Sequence, residues 1–146
     1  MLTVHPITDP RDLARALAIR HRVFVEGQGV PAEAENDAHD ATDAHHYLAQ
    51  TADGTACGAS RWRATDHGVK LERFAVLEEF RNQAVGAALL RRVLDDVQAA
   101  HPASTVYLNA QLRAVPFYER HGFVKVGDQF TECDIEHFRM ELQRPG

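Results

Sequence analysis

Apolar residues recur along the chain with two different periods, and the switches between them mark out the elements. Residues 2–7 alternate apolar and polar, as in a half-buried strand. Asp9-Pro10 then supplies a capping side chain followed by proline at the first helical position. Leu13, Leu17 and Phe24 fall at roughly helical spacing, so the pattern predicts a helix over 10–25, broken by Gly27, Gly29 and Pro31. From there to Asp43 the periodicity is lost, and the segment reads as loop with one short helix. Residues 46–50 and 56–64 read as strands joined by an Asp53-Gly54 turn. After a turn at 65–68, residues 69–76 add a third strand to an antiparallel meander. A clear helical stripe follows. Val85, Leu89, Val93 and Val97 recur every fourth residue, Leu90 and Leu94 widen the stripe, and Pro102 ends it. Residues 105–109 predict a strand, 113–121 a short helix closed by Gly122, and 123–126 and 137–142 two final strands. This order predicts an α/β domain whose mixed, mostly antiparallel central sheet has about seven strands, flanked by about four helices.

The length of 146 residues suits one domain over 1–146 with one sizeable core. No apolar run is long enough to cross a bilayer, and MLTVHPITDP lacks the basic start and apolar stretch of a signal peptide. Cys57 and Cys133 form neither a CxxC motif nor a disulfide framework, which predicts a reduced, cytoplasmic setting. The net charge of −5 argues against sequence-independent nucleic-acid binding. The charge is unevenly spread. Between Val23 and Ser60 there is no Lys or Arg, yet Glu26, Glu33, Glu35, Asp37, Asp40, Asp43 and Asp53 all lie there. That segment reads either as a solvated acidic face or as a negative field attracting a cationic substrate such as an amine. Asp37, His39, Asp40, Asp43, His45 and His46 could supply metal ligands, but no H-E-x-x-H or comparable spacing appears, so no metal is expected.

The chemistry concentrates in LERFAVLEEFRNQAVGAALL, residues 71–90. A strand ends at Val76, a short loop carries Arg81, Asn82 and Gln83, and a helix opens near Ala84 with the small residues Gly86, Ala87 and Ala88. The first turn of a helix offers unpaired amides at the positive end of its dipole. Small side chains let an anion approach them, and Arg81 adds a charge, which together make a recipe for a pyrophosphate site. Close packing of the helix on a sheet through Ala and Gly is the other reading of the same residues.

Arg81-x-x-Ala84-x-Gly86 resembles the R/Q-x-x-G-x-G/A signature of the GNAT superfamily of N-acetyltransferases, whose loop holds the pyrophosphate of acetyl-CoA. Ala110-Gln111 through Pro116-Phe117-Tyr118-Glu119-Arg120-His121-Gly122-Phe123 is similar to the A-Q…F-Y-E-x-x-G-F segment of the same superfamily. Val23-Phe24-Val25-Glu26-Gly27-Gln28-Gly29-Val30-Pro31, then Glu35 and Asp37, looks like the V-F-V-E-E-Q-x-V-P…E-x-D start of its ElaA-like members, and Phe130-x-Glu132 with Ile135-x-His137 resembles their F-x-E-x-G-I-P-H end. Ala84 replaces a glycine and is expected to tolerate a helical start. Gly27 replaces a Glu, Asp134 and Glu136 replace the Gly and Pro, and Gln111 stands where many members carry Asn.

The resemblance implies a GNAT-like fold and transfer of an acetyl group from the cosubstrate acetyl-CoA to a primary amine, by direct attack in a ternary complex. The amine is a small molecule or a protein Lys or N-terminus. It implies cofactor contacts at Phe74, Ala75 and Val76 on the strand, at Arg81, Asn82, Gln83, Ala84, Val85, Gly86 and Ala87 in the loop, and at Asn109 and Gln111 beyond. Asn109 could equally cap its strand. Acceptor contacts fall on Phe24, Glu26, Gln28, Glu35 and Asp37. Tyr118 matches the family's general acid, a phenol (pKa about 10) suited to protonating a thiolate (about 8.5), although it could also simply pack beside Phe117 and Phe123. For a general base, Glu72, Glu26, His46 and His137 remain alternatives, as does water alone. Superfamily members often pair, so a homodimer is one expected assembly. The rival reading is a catalytically silent acyl-CoA sensor or regulatory module.

Overall fold

The computed structural model describes residues 1–143. Seven strands form one sheet: β1 (Thr3–Pro6), β2 (His45–Gln50), β3 (Ala56–Thr65), β4 (Gly68–Val76), β5 (Val106–Gln111), β6 (Phe123–Glu132) and β7 (Ile135–Leu142), in spatial order β1-β2-β3-β4-β5-β7-β6. Four α-helices accompany them: α1 (Pro10–Arg20), α2 (Ala32–Glu35), α3 (Val85–Ala100) and α4 (Val115–Arg120). The mixed, mostly antiparallel architecture is the expected one, and β4–β5 is the parallel junction within it. Among the described residues no helix is long and apolar enough to cross a membrane.

Two layers cover the sheet. The stripe of α3 (Val85, Leu89, Leu90, Val93 and Val97) is buried against Tyr47, Ala49, Cys57, Val69 and Leu71. Each such side chain contributes about 1.5–3 kcal/mol on burial. Gly58 allows this approach, since a Cβ there would meet Val85 Cγ1 at 2.8 Å and Leu89 Cδ1 at 2.9 Å. On the opposite face α1 sets Ala16 and Ile19 against Leu48, Ala59 and Ala75. The Asp9 cap forms as expected, its Oδ1 accepting from the Asp12 amide at 2.8 Å.

Three elements depart from the sequence pattern. The first helix does not run unbroken to residue 25; its α-helical winding ends at Arg20 and continues as a π-helical turn over His21–Glu26. Strand β6 extends to Glu132, well past Val126, with a register shift between Val126 and Phe130 at left-handed Gly127. β4 carries a bulge. Ala59 pairs with Ala75 but Arg61 with Glu72, and the extra residue is accommodated by Arg73 at φ 58°. One inserted residue reverses the alternation of side chains. Val69 and Leu71 therefore face α3, whereas Ala75 faces α1 and Phe74 and Val76 take over the α3 side.

Around that bulge lies a buried ion network. Arg20 donates to Glu35 Oε2 at 2.7 Å and to Asp40 Oδ1 at 2.7 Å. Arg61, fully buried, donates to Asp37 Oδ1 at 2.8 Å and Asp40 Oδ1 at 2.7 Å, and lies 3.4 Å from Glu72 Oε2. The acidic segment thus commits Glu35, Asp37 and Asp40 to guanidinium groups from α1, β3 and β4, while its Glu26, Glu33, Asp43 and Asp53 stand exposed. Among the described buried side-chain atoms, Arg61 Nε and Ser60 Oγ have no partner.

Candidate active site

The parallel pairing of β4 with β5 covers only Val69↔Val106, Lys70↔Tyr107 and Leu71↔Leu108. Beyond Leu71 the strands diverge, and a cleft of about 970 Å³ opens between them, at the upper end of the range for small-molecule sites. The far edge of β4 remains tied to β3, where the Leu77 amide donates to Cys57 O at 3.0 Å. Amides alternate sides along a strand, so that of Val76 faces the gap.

At one end of the cleft is the loop leading into α3. Asn82 and Ala84 both adopt left-handed backbone, at φ 66° and 64°, on either side of Gln83. Such turns gather successive amides into an anion-binding concavity, and here it opens at the unpaired first turn of a 16-residue helix. This corrects the expectation for Ala84. It is not the first residue of a helical turn but the N-cap, in a conformation that costs a residue with a Cβ about 1–2 kcal/mol and suits glycine. Arg81 donates from Nε to Val76 O at 3.3 Å and lines the cleft with Ala84, Gly86 and Ala87. A Cβ on Gly86 would only make ordinary contact with Phe117, at 3.5 Å, so packing does not demand a glycine there and its smallness leaves room in the cleft.

Tyr118 lines the cleft from α4. Its ring sits among Phe74, Phe117 and Phe123, with centroids 6.4, 5.0 and 5.7 Å away. Packing and chemistry are therefore compatible here. The hydroxyl has no hydrogen-bond partner among the described residues, and burial pushes the phenol's pKa upward, so it keeps its proton.

At the other end lie Phe24 and Gln28, which follow α1, and Glu35, Asn109, Gln111 and His137. Gln111 Nε2 donates to Gln28 Oε1 at 2.8 Å, joining the end of β5 to the segment after the π-helical turn. His137 is buried, and its Nδ1 lies 2.7 Å from Ile135 O. A carbonyl can only accept, so Nδ1 carries the hydrogen and Nε2 of the neutral ring holds the lone pair.

Of the remaining candidates, Glu72 also lines the cleft, whereas His46, Glu26, Asp37, Ala75 and Gln83 do not. Among the candidate bases, His46 is buried beside the ion network with Nε2 3.0 Å from Asp40 O, and Glu26 pairs with His21 on the surface; neither lines the cleft. Burial works to raise the Glu72 carboxyl, but Arg61, Lys70 and Arg63 outweigh it and hold the group ionised below its ordinary range. Its Oε1 accepts from Arg63 Nε at 2.6 Å. Asp37 is committed to Arg61 and Arg73, Ala75 packs toward α1, and the Gln83 side chain bonds Glu79 O. The Arg73 guanidinium ties the bulge to the carbonyls of Ala34 and Glu35. Arg113, Glu132 and Cys133, to which the sequence pattern assigns no role, also line the cleft. The Phe130-x-Glu132 motif was a signal for Glu132, and nothing marked Arg113.

Residues 11–144 match the model of the acetyltransferase (GNAT) domain. The chain belongs to the GNAT acetyltransferase family. YjcF of Bacillus subtilis, an uncharacterized N-acetyltransferase by name, is 37% identical over 129 residues, spanning 88% of this chain and 90% of that protein. ElaA of Escherichia coli is 32% identical over 127 residues, covering 85% of this chain and 82% of ElaA. The ElaA crystal structure superposes with a TM-score of 0.86 over 98% of this chain and 100% of that one, which places the protein in the ElaA-like group of GNAT proteins. An acyl-CoA N-acyltransferase of Pseudomonas aeruginosa gives a TM-score of 0.85 at 29% identity, covering 98% and 99% of the two chains. GNAT acyltransferases in general use acyl-CoA.

Proposed function

We propose that the protein transfers the acetyl group of acetyl-CoA to a primary amine, by direct attack with both substrates bound. The observation that carries this reading is the divergence of β4 and β5 after three residue pairs, which leaves the β4 edge free opposite the α3 loop. An extended pantetheine arm adds to that edge as a short strand. The left-handed turn at Asn82–Ala84 and Arg81 receive the diphosphate, and the Val76 amide polarises the thioester carbonyl.

The amine nitrogen attacks the carbonyl carbon, a C–N bond forms and the C–S bond breaks. Tyr118 gives its proton to the departing sulfur, and His137 Nε2 accepts the proton released by nitrogen. Solvent then restores both groups, and the products are an amide and free CoA. His137 is favoured over Glu72 because its lone pair is uncommitted, whereas the Glu72 carboxylate is shared among cations.

The purified chain is expected to bind acetyl-CoA in calorimetry and to release free thiol continuously when an amine is present. Tight binding without thiol release from any amine would turn the reading into that of an acyl-CoA sensor. No binding at millimolar acetyl-CoA overturns both.

A further inference from the structure

The acceptor end of the cleft carries two opposite charges that the fold does not use. Arg113 follows β5, Glu132 ends β6, and both are exposed and line the cleft. Neither makes an ion pair or a side-chain hydrogen bond among the described residues, unlike the charges that line the cleft from β4 and from Glu35. Lys70, Glu72, Arg73 and Glu35 are all paired.

The sheet register fixes how they lie. Gln111, His137 and Phe130 form one row across β5, β7 and β6. Glu132 pairs with Ile135, so Ile135 and Glu132 form the next row on the same face, two residues along β7 from His137. Beyond Gln111 the chain leaves the sheet in a 3-10 turn over Leu112–Ala114, and Arg113 lines the cleft from that turn. Two residues of strand span about 7 Å, and β5 and β6 lie about 10 Å apart across β7. The Glu132 carboxylate thus enters the cleft roughly 7 Å from the imidazole row, and the Arg113 guanidinium enters it from the turn after β5, on the other side of β7.

On the transferase reading above, we infer that the acceptor is a free α-amino acid carrying a second, distal amine, of the lysine or ornithine type. Arg113 takes the α-carboxylate and Glu132 the α-ammonium. The methylenes lie over Ile135, and the distal amine reaches His137, where it is acylated as described. A chain of three or four methylenes spans roughly 5–6 Å between the α-carbon and that nitrogen, close to the separation of the rows. A simple diamine lacks the partner for Arg113, and an ω-amino acid without an α-amine lacks the partner for Glu132.

The test is thiol release from acetyl-CoA by the whole chain with lysine, ornithine, cadaverine and 6-aminohexanoate. Lysine or ornithine is expected to exceed cadaverine and 6-aminohexanoate in kcat/KM by about tenfold or more, the value of one charge-assisted contact. Arg113→Ala should bring the ratio of lysine to cadaverine close to one, and Glu132→Ala should do the same for lysine against 6-aminohexanoate. Both should leave the KM for acetyl-CoA unchanged. Arg113→Lys, which keeps the charge, should retain part of the preference. Equal rates for lysine and cadaverine in the unmodified protein, or a ratio unmoved by Arg113→Ala, overturn the acceptor assignment and leave the transferase reading standing. No thiol release with any amine overturns both.

Discussion

Arg61 and Arg113 carry the same guanidinium group into opposite circumstances. Arg61 is fully buried with three carboxylates around it, and Arg113 is exposed in a cleft with none. Around Arg61, Asp37 is held well below the usual carboxylate range, chiefly by its hydrogen bonds to Arg61. Burial works against Asp40, and the hydrogen bonds from Arg20 and Arg61 overcome it. The network converges on the bulge at Arg73, the residue that turns Phe74 and Val76 toward the cleft. The cleft, in contrast, leaves its groups open: the Val76 amide, the Tyr118 hydroxyl, Arg113 and Glu132. Charges matched within the chain hold the frame, and groups left unmatched remain for ligands.

This contrast breaks if the two regions respond alike. Arg61→Met should cost the most, about 3–5 kcal/mol of stability in urea denaturation, because it leaves buried carboxylates without their partner. A loss below about 1 kcal/mol would mean that the network does not hold the frame. Tyr118→Phe should do the reverse, lowering kcat roughly 10²–10⁴-fold while the urea midpoint and the acetyl-CoA affinity stay near those of the parent. An equal fall in affinity and turnover would remove Tyr118 from the acid role. Ala84→Gly sharpens the comparison at the smallest scale. It relieves a left-handed alanine and should raise stability by about 1 kcal/mol, read as a higher Tm, with acetyl-CoA binding retained. A lower Tm would show that the loop gains more from a stiff unfolded chain than it loses to backbone strain.

The sequence disclosed most where one periodicity and one face of burial coincide. The α3 stripe is the clearest case, and the Asp53-Gly54 turn and the Gly122 helix end also appear as expected. Strand β6 beyond Val126 escaped because both its faces are largely exposed, so residues 127–132 carry no apolar alternation. The bulge in β4 was legible in retrospect. Apolar positions move from the odd residues Val69 and Leu71 to the even residues Phe74 and Val76, and only an inserted residue reconciles that shift with one strand. At the site, the loop and Tyr118 lay within compact motifs. The pairing of the acidic segment did not show, because Arg20, Arg61 and Arg73 are 15–38 residues away from the acids they meet. Strain at Ala84 was also hidden, since composition says that alanine favours helices and says nothing of the left-handed residue before one.

The junction of β4 and β5 has a mechanical side. Three residue pairs are all that stitch the first four strands to the last three within the sheet. Force applied across the sheet would unzip it there first, as a tear starts at a notch. A molecule lodged in the notch, bonded to both lips, would act as a splint, so resistance to pulling should climb once the gap is filled.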